Sequence, residues 1–442
     1  MASLPLLAAP TPDTPMAYRG GRAIGAGRLL AAARALATRL PAGGPVINLC
    51  NDRLCFTVGV MAALVAGRTS LLPASTAIRA LAPLRESAPD VVSLDDELAR
   101  SAIDAGEEPA ADFDVPTMDA DAEAAWIYTS GSTGAPVAHR KRWGTLVRCL
   151  RAGAARLGID AGGWSLVATV PPQHMYGFEL SVLMPWLSGN AVATERPLLA
   201  PEVAATLASV PRPRALVTTP LHLRALLASS TTFPAVDLLV SATSPLTAAL
   251  ARDSEQRFGA PLREIYGSTE TGEMALRRTA QEQLWELWPG LRLEREGDGH
   301  TVQGGHLDAR VMLHDVVEPV GSRHFLLQGR RTDLVDVGGR RSSLGYLNHQ
   351  LQSVPGVVDG AFIRREQGIG ATGATRLAAL VVAPTLSVAQ VMEALRSRID
   401  PAFLPRPLLR VDALPRNATG KLPLEAALDL LARGDPAQGC PA

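Results

Sequence analysis

Short apolar runs of strand length alternate with helix-length runs along most of the chain, and this rhythm limits the fold more than any other feature. Pro45–Cys50 and Thr69–Leu72 read as short buried strands, with a buried helix over Leu54–Ala66 between them and an Ala/Leu/Arg-rich helix over Ile24–Leu40 before them. A strand–helix–strand order predicts an α/β layer architecture, because the helices that link the strands must also cover the sheet. The rhythm resumes with strands at Leu166–Val170, Arg214–Thr218 and Val236–Val240. The polar stretch Ala105–Ala120 reads as a connector that separates the first region from these. Beyond Gly329 the pattern changes to a helix at Leu347–Gln352, a strand at Leu377–Val382, a helix at Val388–Ile399 and a Pro-rich turn at Pro401–Pro407. The expectation is a large multi-sheet α/β domain over 1–330 and a small α+β domain over 331–442. A chain of 442 residues has room for both at roughly 100–200 residues per domain.

Charge and cysteine usage exclude several function classes. Lys+Arg and Asp+Glu both number 43, so neither a basic nucleic-acid binder nor an acidic tail protein is expected. Cys50, Cys55, Cys149 and Cys440 form no CxxC pair and sit at no Cys/His spacing suited to zinc, which argues against a disulfide framework or a structural zinc site and for a reducing, cytoplasmic setting. The longest apolar run, Phe56–Ala66, falls short of the roughly 20 residues that span a bilayer. The first residues lack a basic leader region and do not read as a signal peptide.

Two segments carry chemistry. Tyr128-Thr-Ser-Gly-Ser-Thr-Gly134 follows a strand-like run over Ala125–Tyr128. Small and hydroxyl residues let backbone N–H groups and side-chain O–H groups converge on an anion, which suits phosphate. No Gly-Lys-Ser/Thr follows, so it is not a P-loop, and Ser130 stands where a nucleophile elbow has Gly. Glu264-Ile-Tyr266-Gly-Ser-Thr-Glu270-Thr-Gly272 is the second. Its Tyr266 ring can stack on a base, Thr269 can reach a phosphate, and Glu270 can help hold Mg²⁺, a hard ion that takes oxygen ligands. Taken singly, the first could be a surface loop and the second a polar turn with an exposed Glu.

Together and in this order, the two segments resemble the adenylate-forming superfamily of acyl-CoA synthetases, aryl acid ligases, peptide-synthetase adenylation domains and luciferases. The rest of the chain is similar to that family in order. Pro171-Pro-Gln-His174-Met-Tyr-Gly177 resembles its substrate gate, and Ser241-Ala-Thr-Ser-Pro-Leu246 its adenine-contacting segment. His314-Asp315 stands at the ribose-binding Asp, Gly329-Arg330-Arg-Thr-Asp333 at the hinge, Gly338-Gly339-Arg340 at the glycine loop after it, and Leu414-Pro-Arg-Asn-Ala-Thr-Gly420-Lys421 at the motif of the catalytic lysine. The resemblance implies a reaction in two steps: a carboxylate attacks the α-phosphate of Mg-ATP to give an acyl-adenylate and pyrophosphate, then a thiol displaces AMP to give a thioester. It implies that Thr129, Ser130, Gly131, Ser132, Thr133 and Gly134 hold the phosphates, and that Thr243, Ser244, Tyr266, Gly267, Ser268, Asp315 and Arg330 hold the nucleoside. Thr269 lies on the α-phosphate side, Glu270 is catalytic and places Mg²⁺, and Lys421 bridges carboxylate and phosphate. His174, Tyr176, Gly177, Thr219, Ser241 and Ala242 line the acid site, with His174 as its gate. The small domain is then a mobile lid, hinged at Thr332-Asp333. CoA or a phosphopantetheinyl acyl carrier protein is the acceptor implied.

The departures concern the lid and the phosphate loop. Val137 stands where the family has Lys, with His139, Arg140 and Lys141 close behind to supply charge. Thr332 replaces the usual Asp or Lys of the hinge, and Tyr346-Leu347-Asn348 the usual Glu-Ile-Glu. The gate has no Asp for a substrate ammonium, which argues against an amino acid because an unpaired buried ammonium is costly. Hydroxyl-bearing segments at Thr218-Thr219 and Ser241–Thr243 suit a hydroxylated aromatic acid. The compact length and the missing loop Lys look most like short ligases of aryl polyene or xanthomonadin-type pigment pathways, which load acids such as 3- or 4-hydroxybenzoate or cinnamates. A fatty acid ligase is the alternative enzyme, and a non-catalytic ATP-binding relative the alternative class. Gly368-Ile-Gly-Ala-Thr-Gly373 fits GxGxxG but precedes a strand and opens no helix, so it reads as a hairpin loop.

Overall fold

The computed structural model describes residues 2–73, 78–104, 113–130, 136–330, 334–337, 340–365, 376–416 and 422–434. The fold is mixed α/β. A five-stranded sheet runs in the order Val92–Leu94, Val46–Asn48, Ser70–Leu72, Glu123–Ser130, Pro136–Arg142. Its first four strands are parallel and the last turns back antiparallel. The stretch Ala105–Ala120 therefore does not separate two regions, contrary to its reading as a divider. Thr117–Asp119 pairs with Ser3–Pro5, and the next strand joins Ser70–Leu72, whose three residues are buried. A polar composition marks a connection but does not say which sheet the following strand completes.

The second sheet has eleven strands among the described residues. At its centre Leu262–Ser268, Leu238–Ser241, Arg214–Thr218, Ser165–Ala168, Ala191–Ala193 and Pro15–Arg19 lie side by side and parallel. The strands past Leu262–Ser268, namely Gly272–Arg277, Trp285–Leu287, His324–Arg330 and Asp315–Val320, are antiparallel. Ligands of parallel α/β sheets bind beyond the carboxyl ends of the strands, and both chemistry-bearing segments lead from such ends.

Between the sheets lies the helix Arg53–Val65, buried from Arg53 to Leu64. It is apolar all round and has no face to give to water. Asp52 starts it by accepting the N–H groups of Leu54 and Cys55. The largest apolar cluster runs from Val46 and Ile127 of one sheet through Phe56 to Ala168 and Ile265 of the other.

The buried clusters divide near residue 330. Those built on the two large sheets end at Phe325, and the two beyond start at Val335 and Ile363. The second group covers a sheet of Asp359–Arg365, Arg376–Val382 and Leu408–Arg410 with the helices Leu344–Gln352, Val388–Arg396 and Leu424–Gly434. Gln352 Oε1 accepts from Arg224 at 2.9 Å, and the Ser343 hydroxyl donates to the Gln328 carbonyl at 2.9 Å. Residues 368–373 lie outside the described residues, but the strands on either side pair antiparallel, Arg365 opposite Arg376.

Candidate active site

The Glu270 turn is built by its neighbours. Leu262–Ser268 and Gly272–Arg277 form a hairpin whose tip is Thr269-Glu270-Thr271. The register slips between Tyr266 and Gly267, and a Cβ on Gly267 would lie 2.2 Å from the Gly272 carbonyl oxygen, so only glycine fits this bulge. Ser268 closes the turn: its N–H donates to Thr271 Oγ1 at 3.0 Å, and its Oγ accepts the Thr271 N–H at 3.2 Å. Thr269 is half-buried at the tip. Burial raises the Glu270 carboxyl, but the Ser268 hydroxyl, its own backbone N–H and the nearby His139 and His314 outweigh it and hold the pKa below its usual value. A charged carboxylate with 33 % of its side chain exposed suits Mg²⁺, which keeps most of its waters and needs only one or two protein carboxylates. Among the described residues no group of three or more His, Cys, Asp or Glu forms a closed metal cage.

The phosphate-loop hairpin meets this turn. Glu123–Ser130 and Pro136–Arg142 pair antiparallel with Thr129 opposite Val137. Alternation puts Val137, His139 and Lys141 on one face and Arg140 on the other. Arg140 lies over the Trp126 ring and near Glu123, away from the turn. Thr129 Oγ1 and His139 Nε2 are 3.0 Å apart, and His139 Nδ1 is 3.9 Å from Glu270 Oε1. Burial lowers the His139 pKa, against the pull of Glu270. Lys141 Nζ donates to the Glu270 carbonyl at 3.0 Å. Val137 is 46 % exposed on the His139 side of the hairpin. Ser130 ends the first strand; Gly131, Ser132, Thr133 and Gly134 lie outside the described residues.

The nucleoside-binding candidates gather one strand further on. The Tyr266 hydroxyl donates to Asp315 Oδ2 at 2.6 Å, and Asp315 faces Arg330 across their hairpin. The Tyr266 ring packs 5.5 Å from both Trp285 and Phe325. Thr243 has φ +83°, the one non-glycine residue with positive φ among those described; such strain persists where the surroundings impose it and often marks a site. Beside it Ser244 is half-buried and Ala242 buried, and the buried Ser241 hydroxyl has no hydrogen-bond partner.

The gate is partly a helix. The Pro-Pro…Tyr-Gly setting reads as a loop, but only Pro171–His174 is one: His174 sits at the N-cap of Met175–Phe178, which runs on as a π-helical segment Glu179–Leu183. A Cβ on Gly177 would lie 1.9 Å from the Pro171 carbonyl oxygen, so this glycine folds the helix back onto the loop. The Tyr176 hydroxyl faces the carbonyls of Thr218 and Val240 at 3.1 Å each, anchoring the helix to two strand ends. Thr219 caps the next helix by accepting the His222 N–H at 3.3 Å, and Thr169 links the Thr218 hydroxyl to the His222 ring at 3.0 and 2.7 Å.

Sequence reasoning missed a buried polar group behind the Glu270 turn. Lys141, Glu179, Glu273 and His306 are 6 % exposed or less, and Cys149 is buried with them. Cys149 Sγ lies 3.8 Å from Glu179 Oε1 and 3.4 Å from the Glu273 carbonyl. His306 Nε2 lies 2.8 Å from the Thr271 carbonyl. Burial pushes the Glu179 pKa up to about 7 against the pull of Lys141, and burial with the Glu179 charge raises Glu273 well above the carboxylate range. Their wide spacing in the chain gives no motif; the only signal was Glu179 inside the otherwise apolar run Gly177–Leu183, while Lys141 was hidden in a basic run and read only as a source of charge for the phosphates. Arg53 was missed likewise: it donates to the Ala168 and Val170 carbonyls at 2.9 and 3.0 Å, fastening the strand that leads to the gate.

Lys421, Thr332 and Asp333 lie outside the described residues. Just before Lys421, Arg416 grips Asp359 with two hydrogen bonds of 2.7 and 2.8 Å.

The profile of the AMP-binding enzyme family matches residues 8–290. A 4-coumarate–CoA ligase of Rhodobacter capsulatus is 30 % identical over 314 residues, 70 % of this chain and 77 % of that protein. One from Halorhodospira halophila is 33 % identical over 309 residues, 66 % of this chain and 73 % of that one. Among solved structures, the o-succinylbenzoate CoA synthetase of Bacillus subtilis with its acyl-adenylate superimposes with a TM-score of 0.79 at 19 % identity, over 97 % of this chain and 98 % of that one. Among the described residues, no helix is long and apolar enough to cross a membrane.

Proposed function

The chain belongs to the AMP-binding enzyme family, and on that premise we propose that it adenylates a carboxylic acid with Mg-ATP and transfers the acyl group to the thiol of CoA or of an acyl carrier protein. The observation that carries this reading is the meeting of two distant segments: His139 of the phosphate-loop hairpin stands 3.9 Å from the Glu270 carboxylate, with Thr129 3.0 Å from His139 behind it. Hydroxyls, backbone N–H groups and a charged carboxylate at one point are what a metal-bound polyphosphate requires.

The chain's residues divide the work. Thr129 to Gly134 hold the β- and γ-phosphates. Tyr266, Asp315 and Arg330 hold the nucleoside, and the Tyr266 hydrogen bond fixes the Asp315 carboxylate in place for ribose hydroxyls. Glu270 places Mg²⁺, which when bound neutralises phosphate charge. Lys421 bridges the attacking carboxylate and the α-phosphate, where negative charge grows in the transition state; one such preorganised group is worth about 10²-fold or more in rate. Residues 331–442 form the lid that carries Lys421, turning about Thr332-Asp333 between the two steps. The separate buried clusters on either side of residue 330 support this division.

The acid is a hydroxylated aromatic one, of the hydroxybenzoate or cinnamate type. Support comes from the absence of a gate Asp, from the Thr169–Thr218–His222 chain below Tyr176, which offers polar partners in an apolar setting, and from the 4-coumarate–CoA ligase relatives. The test is ATP–pyrophosphate exchange over hydroxybenzoates, benzoate, cinnamates, octanoate, palmitate and amino acids, with Lys421→Ala beside the wild type. The reading expects exchange with an aryl acid that collapses in the variant. Binding of ATP without exchange on any acid would sink it.

A further inference from the structure

One residue closes the Ser241–Leu246 loop at both ends. Glu264 is the register partner of Ser241, where the loop leaves its strand. Its Oε1 accepts the Leu246 N–H at 3.3 Å, just before Thr247 caps the helix Ala248–Phe258. Ala242 to Pro245 thus span a closed bridge, and Thr243, at φ +83°, lies within it. A non-glycine residue keeps such a backbone only where its surroundings over-determine it. A clasp on both ends of the loop does so.

The other carboxylate oxygen faces the neighbouring strand. Glu264 and Arg277 lie opposite one another, and Glu264 Oε2 accepts from Arg277 Nε at 2.7 Å and from the Thr279 hydroxyl. The Arg277 guanidinium lies over the Trp285 ring, 4.2 Å from its centroid, and Trp285 stacks on Phe325. Those two rings flank Tyr266, which shares a sheet face with Glu264 because it lies two residues further along the same strand. Glu264 therefore joins the loop to the ring. Donors from the chain engage both oxygens of a residue that is 4 % exposed, so Glu264 acts on a ligand through its neighbours. Breaking one side of a buried pair leaves an uncompensated charge, which disturbs the loop and the ring together.

We propose that Glu264, paired with Arg277, is a positioning residue for the base of the nucleotide: it clasps the Ser241–Leu246 loop and sets the Tyr266 ring, and so governs which base the site takes without serving as its ligand. The proposal rests on the ATP-binding part of the reading above.

The test is calorimetry on the full chain with Mg²⁺ present, using ATP, GTP and inorganic tripolyphosphate, for the wild type, Glu264→Gln, Arg277→Met and Arg277→Lys. The amide of Gln has one oxygen in place of two, so it cannot accept from Leu246 and Arg277 together. The wild type binds ATP more tightly than GTP. In Glu264→Gln and Arg277→Met the affinity for ATP falls by about tenfold or more, the size of one hydrogen bond to a charged group, while tripolyphosphate binds within about twofold of wild type. The preference for ATP over GTP shrinks with it. General loosening does not produce that split. Arg277→Lys restores a charge beside Glu264 and shows the same split at a smaller size; it carries the test if the other two variants fail to fold. An equal fall for ATP and tripolyphosphate overturns the proposal. An unchanged ATP affinity in Glu264→Gln and Arg277→Met, or a wild type indifferent to the base, also overturns it and leaves the ligase reading intact. A wild type that binds neither ATP nor tripolyphosphate overturns the proposal and the reading together.

Discussion

The Tyr266 hydroxyl donates to Asp315 Oδ2 at 2.6 Å, joining two residues that lie far apart in sequence and on strands that do not touch. Three strands of the sheet stand between them. Asp315 is in turn opposite Arg330. Tyr266→Phe keeps the ring beside Trp285 and Phe325 and removes this bond. A hydrogen bond to a charged group is worth roughly 1.5–3 kcal/mol, so ATP affinity by calorimetry should fall by at least about tenfold. Unchanged affinity would detach Asp315 from the nucleotide site.

Glu270→Gln keeps the shape of the turn and removes its negative charge. ATP binding should lose its dependence on Mg²⁺, and pyrophosphate exchange should fall by about 10²-fold or more, the usual cost of one preorganised charged group. A Mg²⁺ titration of exchange activity checks both, and a wild-type Mg²⁺ response in the variant would exclude Glu270 as a ligand.

Val137 lies on the His139 side of the loop hairpin and is 46 % exposed, so a longer side chain is tolerated there. Val137→Lys puts a cation beside the phosphate loop. KM for ATP should fall by about twofold to fivefold, the size of an exposed charge contact (roughly 0.5–1 kcal/mol). His139→Ala should act in the opposite direction. Rates measured at several ATP concentrations decide this, and no change in either variant would place the phosphates elsewhere.

Arg416 holds Asp359 with two hydrogen bonds, and both side chains are at least four-fifths buried. Arg416→Lys breaks the paired geometry that only a guanidinium offers. Because Arg416 lies about five residues before Lys421 and fixes the chain there, exchange should drop several-fold while ATP affinity stays near wild type. Equal loss of both would show a general defect in place of a misplaced lysine.

Glu179 titrates at about 7 in the folded chain, against its usual 4.5. Between these values the folded state keeps a proton that the unfolded state has lost, so stability falls as pH rises, by up to about 1.4 kcal/mol per pH unit for one group. The contribution is fully present below pH 4.5 and gone above 7. Denaturant unfolding from pH 4.5 to 7.5 should show this slope, and Glu179→Gln should flatten it. Parallel slopes would mean that Glu179 ionises normally.

The Glu270 turn was legible in the sequence: glycines at 267 and 272 and the hydroxyls between them marked it, because backbone geometry leaves local traces. The Thr129–Gly134 segment reads as an anion loop, but its residues from Gly131 on lie outside the described residues. The Pro171–Gly177 segment misled on its form. Its prolines and glycine suggested a loop, whereas Gly177 is small so that a helix can pack against the Pro171 carbonyl. Ala105–Ala120 misled on connection, since polarity records exposure and not sheet membership.

The sequence by itself determined the alternation of elements, the buried helix read over Leu54–Ala66 and found at Arg53–Val65, and the residue types of each turn, all set by spacing within a few neighbours. Only the tertiary structure decided that His139 and Lys141 face Glu270 while Arg140 faces Trp126, and that Lys141, Cys149, Glu179 and Glu273 share one buried site. Those pairings depend on how two sheets stack across a common helix. The packing free energy that sets this arrangement is spread over the whole core, so no short stretch of sequence carries its signature.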